Sequence, residues 1–186
     1  MCWNAEVSLQ SFLLGLAAIG IGVQRGIPLP VLFFSLTIVV MQLIEYIVWS
    51  YPELNKEASI AAIGLLWLQP VASILTISTP EPLLLSYAGI SVLGALVGSE
   101  KDYSMTKAPN GHLSWNWLTK EPSTHAALAV YFLFLLLPLV LSRNLVLLSL
   151  ALGTLGVSVY TYWKDNTWGS MWCWIVNILV VGSMLS

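Results

Sequence analysis

Long apolar windows separated by helix breakers decide most of what this chain can become. A segment that crosses a bilayer needs roughly 17 to 25 mainly apolar residues and must satisfy every backbone N–H and C=O within itself, so it folds as a helix. Windows of this kind occur at residues 8–24, 28–51, 58–78, 82–98, 125–141, 144–162 and 169–186. Breakers and charges stand between them, as in Arg25-Gly26-Ile27-Pro28, Thr79-Pro80-Glu81-Pro82 and Ser142-Arg143. Arg143 is too costly at mid-membrane for one helix to run through it, so 125–162 reads as two spans. Short links are expected to make consecutive helices antiparallel neighbours. Charged residues are 9% of the 186 and hydrophobic ones 58%, against about 25% charged in a soluble domain. That excludes a disordered chain, a coiled coil and a protein that grips nucleic acid by a basic surface. The expectation is one integral membrane domain over 1–186, an all-α, seven-transmembrane-helix bundle whose partner is the lipid bilayer. No Lys or Arg precedes the first window and Glu6 does, the wrong flank for a cleavable signal peptide, so that window is expected to stay as a span.

The one long link, 99–124, lies between the fourth and fifth windows and contains Pro109-Asn110-Gly111-His112. Asn-Gly between alternating segments predicts a β-hairpin with a two-residue turn, and places Leu113, Trp115 and Trp117 on one face of the returning strand. Such a loop lies over one end of the bundle, either as an aromatic stripe resting on headgroups or as a lid over a pocket.

With seven spans the two termini fall on opposite sides. The end that holds the starts of the first, third, fifth and seventh spans, here face A, collects all but one of the 9 Trp: Trp3, Trp49, Trp115, Trp117, Trp163, Trp168, Trp172 and Trp174, with Trp67 alone lying deep. A one-sided interfacial anchor and an aromatic-walled mouth both account for this, and His125 opens the fifth span beside it. Face B has short connections carrying Arg25, Arg143 and Glu81. Weighting the basic residues of short loops puts face B and the C-terminus in the cytoplasm and the N-terminus outside.

Glu45 is the only carboxylate inside a span, and no Lys or Arg lies in any span to neutralise it. An intramembrane carboxyl is a functional candidate by default. Gln42, Glu45, Tyr46 and Trp49 recur at helical spacing and form one stripe. Further stripes are Gln69, Ser73 and Thr76 on the third span, Ser149, Gly153 and Gly156 on the sixth, and Ser170, Trp174 and Asn177 on the seventh. All are expected to face inward, with Gln42, Gln69 and Asn177 hydrogen-bonding Glu45; interhelical hydrogen bonding alone would also account for the neutral residues. Ser11, Gly15, Ala18 and Gly22 mark a close helix seam, and Gly94 with Gly98 mark either another seam or a contact between copies of the chain. Cys2 and Cys173 both fall at face A, where a disulfide, palmitoylation of Cys2 or a plain apolar role are the alternatives.

The opening Met1-Cys2-Trp3-Asn4-Ala5-Glu6 followed by Ser8, the Gln42-x-x-Glu45-Tyr46-x-x-Trp49 stripe, Gln69-Pro70 and Trp172-Cys173-Trp174 resemble an uncharacterised family of small multispanning membrane proteins met in bacteria, algae and giant DNA viruses. The resemblance implies the span count and carries no activity.

Several chemistries lack their parts. No Lys lies inside a span to form a Schiff base, a metal-dependent hydrolase would need about three clustered ligands where the histidines are only His112 and His125, both at face A, with Glu45 or Cys173 as the third, and no Walker loop, Gly-x-Ser-x-Gly elbow or paired-Cys motif occurs. No catalytic set or metal is assigned, and no cofactor is specified. Two function classes remain. The first is permeation of a proton, cation or small polar solute through a pocket centred on Glu45, with Gln42, Tyr46, Gln69, Ser73 and Asn177, beneath a mouth of Trp49, Trp115, Trp117, Trp174 and His125. The second is a one-sided membrane pocket that binds or chemically alters a lipid or small ligand, with Glu45 as acid or base and His125 assisting.

Overall fold

The structure is a computed structural model that describes residues 4–97, 103–115 and 122–185, side chains over 92–97 excepted. Its elements are α1 (Ala5–Gln24), α2 (Leu29–Ser50), α3 (Asn55–Ile74), α4 (Glu81–Val97), β1 (Met105–Lys107), β2 (Leu113–Trp115), α5 (Pro122–Leu141), α6 (Leu145–Tyr162) and α7 (Trp168–Leu185). All the helices but α4 are long and apolar enough to cross a membrane. The 17 residues of α4 reach about 25 Å at 1.5 Å per residue, a little short of a ~30 Å hydrocarbon core. Nevertheless α4 carries the chain back across the bundle, because β1 is hydrogen-bonded to the start of α3 and α4 begins just past its end.

Helix ends follow their local sequence. The Asn4 side chain caps α1 by accepting from the Val7 N–H at 2.8 Å, which gives the Asn4-Ala5-Glu6 motif a structural use. At its other end Gly26, at φ 73, forms a Schellman turn with Ile27 N–H on the Gly22 carbonyl and Gly26 N–H on that of Val23. The end of α5 has the same hydrogen bonds, from Asn144 to Leu139 and from Arg143 to Val140, yet Arg143 occupies the left-handed position at φ 56.

The helices α2 and α7 form the centre. Against them pack α1, which touches both, α3 on α2, and α6 on α7, while α5 packs on α3 and α4 sits at the edge against α3 and α5. The expected pairing of sequence neighbours therefore holds for α1–α2, α2–α3 and α6–α7 and is loose elsewhere. Specific bonds draw α5 to α3 instead: the Tyr131 hydroxyl donates to Gln69 Oε1, and the Ser73 hydroxyl donates to the Leu135 carbonyl at 2.7 Å. In α3, Pro70 removes the N–H due to Leu66, and the adjacent Trp67 carbonyl accepts the Tyr87 hydroxyl of α4 at 3.0 Å.

The small-residue seam of α1 is a close contact. A Cβ on Gly15 would lie 2.6 Å from Val39 Cγ2 and 2.8 Å from Asn177 Oδ1, and one on Gly22 would lie 2.6 Å from the Met184 sulfur. The sixth-span stripe runs the other way: Ser149, Gly153 and Gly156 are exposed, with open space beside both glycines. Ala151 and Ser158 form the inward face of α6, fixed by the Ser158 hydroxyl donating to the Trp168 carbonyl at 2.7 Å. Gly94 is part of α4, and Gly98 lies outside the described residues.

A hairpin forms between α4 and α5, with Met105 opposite Trp115 and Lys107 opposite Leu113. Its turn is not the expected two-residue one. Ala108 N–H bonds to the His112 carbonyl and Gly111 N–H to the Ala108 carbonyl, both at 2.9 Å, closing a three-residue Pro109-Asn110-Gly111 loop with Gly111 at φ 82. Pro109 has no N–H to give a ladder, and its fixed φ suits the first corner of a type I turn, which leaves the left-handed corner to Gly111.

Candidate functional site

The hairpin plugs face A. Asn55, at the start of α3, imitates a strand: its side-chain amide donates to the Met105 carbonyl at 2.8 Å and its oxygen accepts the Met105 N–H at 3.0 Å. Asn110 donates to the Thr167 hydroxyl at 3.0 Å, and Asn166 donates to the Trp115 carbonyl at 3.2 Å. Met105, Leu113 and Trp115 are each at most 3% exposed and belong to one apolar cluster with Ile44, Val48, Trp168 and Cys173. The Trp115 ring is therefore inside the bundle and does not rest on headgroups. Trp49 is half-buried against this cluster, with the Lys107 ammonium 5.6 Å from its ring centre.

Beneath the plug lies Glu45, fully buried. The Ser170 hydroxyl donates to Oε1 at 2.8 Å, and the Gln42 amide reaches Oε2 at 3.4 Å. Since Ser170 is in the first turn of α7, the carboxyl lies at the positive end of that helix. Cys173, a free and buried thiol, is within electrostatic range of Glu45; Cys2 lies outside the described residues.

The other residues expected around Glu45 bond elsewhere. Gln69 donates to the Thr37 carbonyl at 3.2 Å and accepts from Tyr131. Asn177 donates to the Ser11 carbonyl at 2.9 Å and packs on Gly15. Both side chains serve helix seams, α2–α3–α5 and α1–α7, because a backbone carbonyl one helix away satisfies an amide without a long reach across the bundle. Tyr46 turns away from the Glu45 cluster: it is half-buried, with its ring edge-on to Tyr51 at 6.5 Å. Trp174 donates to the Ser11 hydroxyl at 2.9 Å. His125 is exposed, stacked 6.5 Å from Trp163, and Trp117 lies outside the described residues. Among the described residues, no three of His, Cys, Asp and Glu gather into a metal-sized cluster.

A cavity of about 220 Å³ occupies the space between α2, α3, α5, α6 and α7. It fills the gap that α5 and α6 leave by touching only sparsely. Its wall runs along α7 from Trp172 and Cys173 to Ser183, a length of about 16 Å by helical rise. Asn144 and Ser183 mark its face B end. The sides are aliphatic, with Val31, Ile38, Leu136, Leu147 and Val180 on four different helices. At the inner end the Gln69 and Tyr131 polar groups are already bonded to each other, and Trp172 packs edge-to-face on Phe132 at 5.3 Å. Cys173 belongs both to this wall and to the cluster under the hairpin, so it is the partition between the cavity and Glu45.

Sequence reasoning missed Tyr131 and the cavity. Tyr131 carried a signal, being the only hydroxyl in the apolar run 126–141. The cavity carried none, because aliphatic residues that line a space and those that fill one are the same letters. No family model matches the chain, and neither a curated protein nor a solved structure matches it.

Proposed function

We propose that this polytopic membrane protein is a one-sided pocket that takes up a single apolar chain from face B. The observation that carries this reading is the cavity: about 16 Å long, mainly aliphatic along its length, with the Gln69 and Tyr131 groups of its floor bonded to each other. A fully extended chain of about a dozen carbons has that length. The plug at face A supports the same reading, since a polar path past Glu45 would have to cross Met105, Leu113 and Trp115 on one side and an aliphatic cavity on the other. In this reading Glu45 anchors α7 to α2 through Ser170 and does not touch the ligand.

The test uses 12-bromododecan-1-ol, whose terminal bromine quenches an indole at the cavity floor. In proteoliposomes the quenching of Trp172, taken as the difference between the protein and its Trp172→Phe variant, should saturate with probe. Ala151→Trp, which fills the middle of the cavity, should abolish it. A proton or cation flux in the same vesicles that disappears in Glu45→Gln would establish permeation instead.

A further inference from the structure

The mouth of the cavity carries a chemistry that its wall lacks. Arg143 precedes Asn144, which lines the mouth, and Arg25 donates from Nη1 to the Met184 carbonyl at 3.1 Å, next to Ser183 on the opposite rim. Among the described residues these are the only Lys or Arg at face B. The acid of that end, Glu81, begins α4, which contributes nothing to the cavity wall. Two helices, α2 and α6, start at the mouth and present their positive ends. Four others, α1, α3, α5 and α7, end at that face, and Arg25, which follows the end of α1, offsets the negative end of α7.

Arg143 is held at a cost. It occupies the left-handed position of a Schellman turn, where glycine is favoured by roughly 1 kcal/mol. Gly26 fills the equivalent position at the end of α1, so this chain uses glycine in one such turn and arginine in the other, one residue before Asn144 of the cavity mouth. Backbone strain of this kind is informative when it coincides with a site.

We infer that the ligand is a single-chain amphiphile with an anionic head, its tail in the aliphatic cavity and its head between Arg25 and Arg143. This rests on the pocket reading and adds the head group. A carboxylate and a phosphate monoester share the required chemistry, and guanidinium groups bind both.

The experiment compares 12-bromododecanoate at pH 9, dodecyl phosphate and neutral 12-bromododecan-1-ol, the second as competitor for the bromo probes. The anions should bind at least about tenfold tighter than the alcohol. Arg143→Gly, which relieves the turn and leaves folding intact, should remove about three- to tenfold of the anion affinity and leave the alcohol unchanged. Arg25→Gln should act likewise and Arg25→Lys partly restore binding. Whichever anion is the stronger identifies the head as carboxylate or phosphate. Equal affinity for anion and alcohol, or an anion affinity indifferent to both arginines, overturns the inference and leaves the pocket standing. Absence of saturable quenching by any probe overturns both. Arginines that only anchor the protein at the interface give the indifferent result.

Discussion

The two ends of this bundle are closed and open for opposite reasons. At face A a short hairpin is driven between the helices by buried Met105, Leu113 and Trp115 and pinned by Asn55, Asn110 and Asn166. At face B the links are short, nothing comparable among the described residues covers the helix ends, and an aliphatic space reaches far into the interior. Burying aromatic rings and satisfying exposed backbone groups of a hairpin is a way of sealing one end of a membrane protein without a helix.

The sharpest test of this contrast is all-or-none. In a background without Cys2 and Cys173, Thr106→Cys on the hairpin and Ser183→Cys at the cavity mouth are both exposed and should label with a membrane-impermeant maleimide from opposite sides. Labelling of both from one side would break the two-ended description. Next is Asn55→Ala, which takes the Asn55 partner from the buried Met105 C=O and leaves the Met105 N–H to the Ser59 hydroxyl. At ~1 to 3 kcal/mol for one unsatisfied group, it should cost about 1 to 3 kcal/mol and raise hydrogen exchange over 103–115 while face B stays protected. Equal deprotection at both ends would mean that the plug and the cavity form one cooperative unit.

Glycine exchanges sharpen the packing side of the comparison. Gly15→Ala must displace Val39 and Asn177 and should cost about 1 to 3 kcal/mol, whereas Gly153→Ala, facing open space, should be neutral or gain up to about 1 kcal/mol from helix propensity. Thermal unfolding in one detergent ranks the pair, and a Gly153→Ala loss matching that of Gly15→Ala would place α6 inside an interface. Smallest is Lys107→Ala, which removes a cation–π contact with Trp49 worth about 0.5 to 1 kcal/mol; an unchanged melting temperature would show that contact to be idle.

What the sequence disclosed follows from how each signal arises. Spans were legible because the bilayer imposes length and apolarity on every crossing, and the α1 seam because only small residues let backbones approach. The hairpin was legible from Asn110-Gly111, but its turn was misread because Pro109 withdraws a ladder donor one residue earlier. Glu45 stood out by its charge and is buried with Ser170 and Gln42, while Gln69 and Asn177 found carbonyl partners on nearer helices, a choice that spacing within one helix does not encode. The α6 stripe faced outward because periodicity gives a face its residues and not its direction. Least legible was the cavity, a property of how five helices stand apart.

The bonds of α7 also set an order of manufacture. Trp174 and Asn177 bind Ser11, Ser170 binds Glu45, and Arg25 binds Met184, so the segment synthesised after the other six helices completes seams opened by the first two. Asn110 and Trp115 likewise wait for Thr167 and Asn166. Until the ribosome has delivered those residues, α1 and α2 lack these partners, and the hairpin is held by Asn55 and Ser59 without Thr167 and Asn166. The last helix to be made is thus the one that joins the first two into a closed bundle.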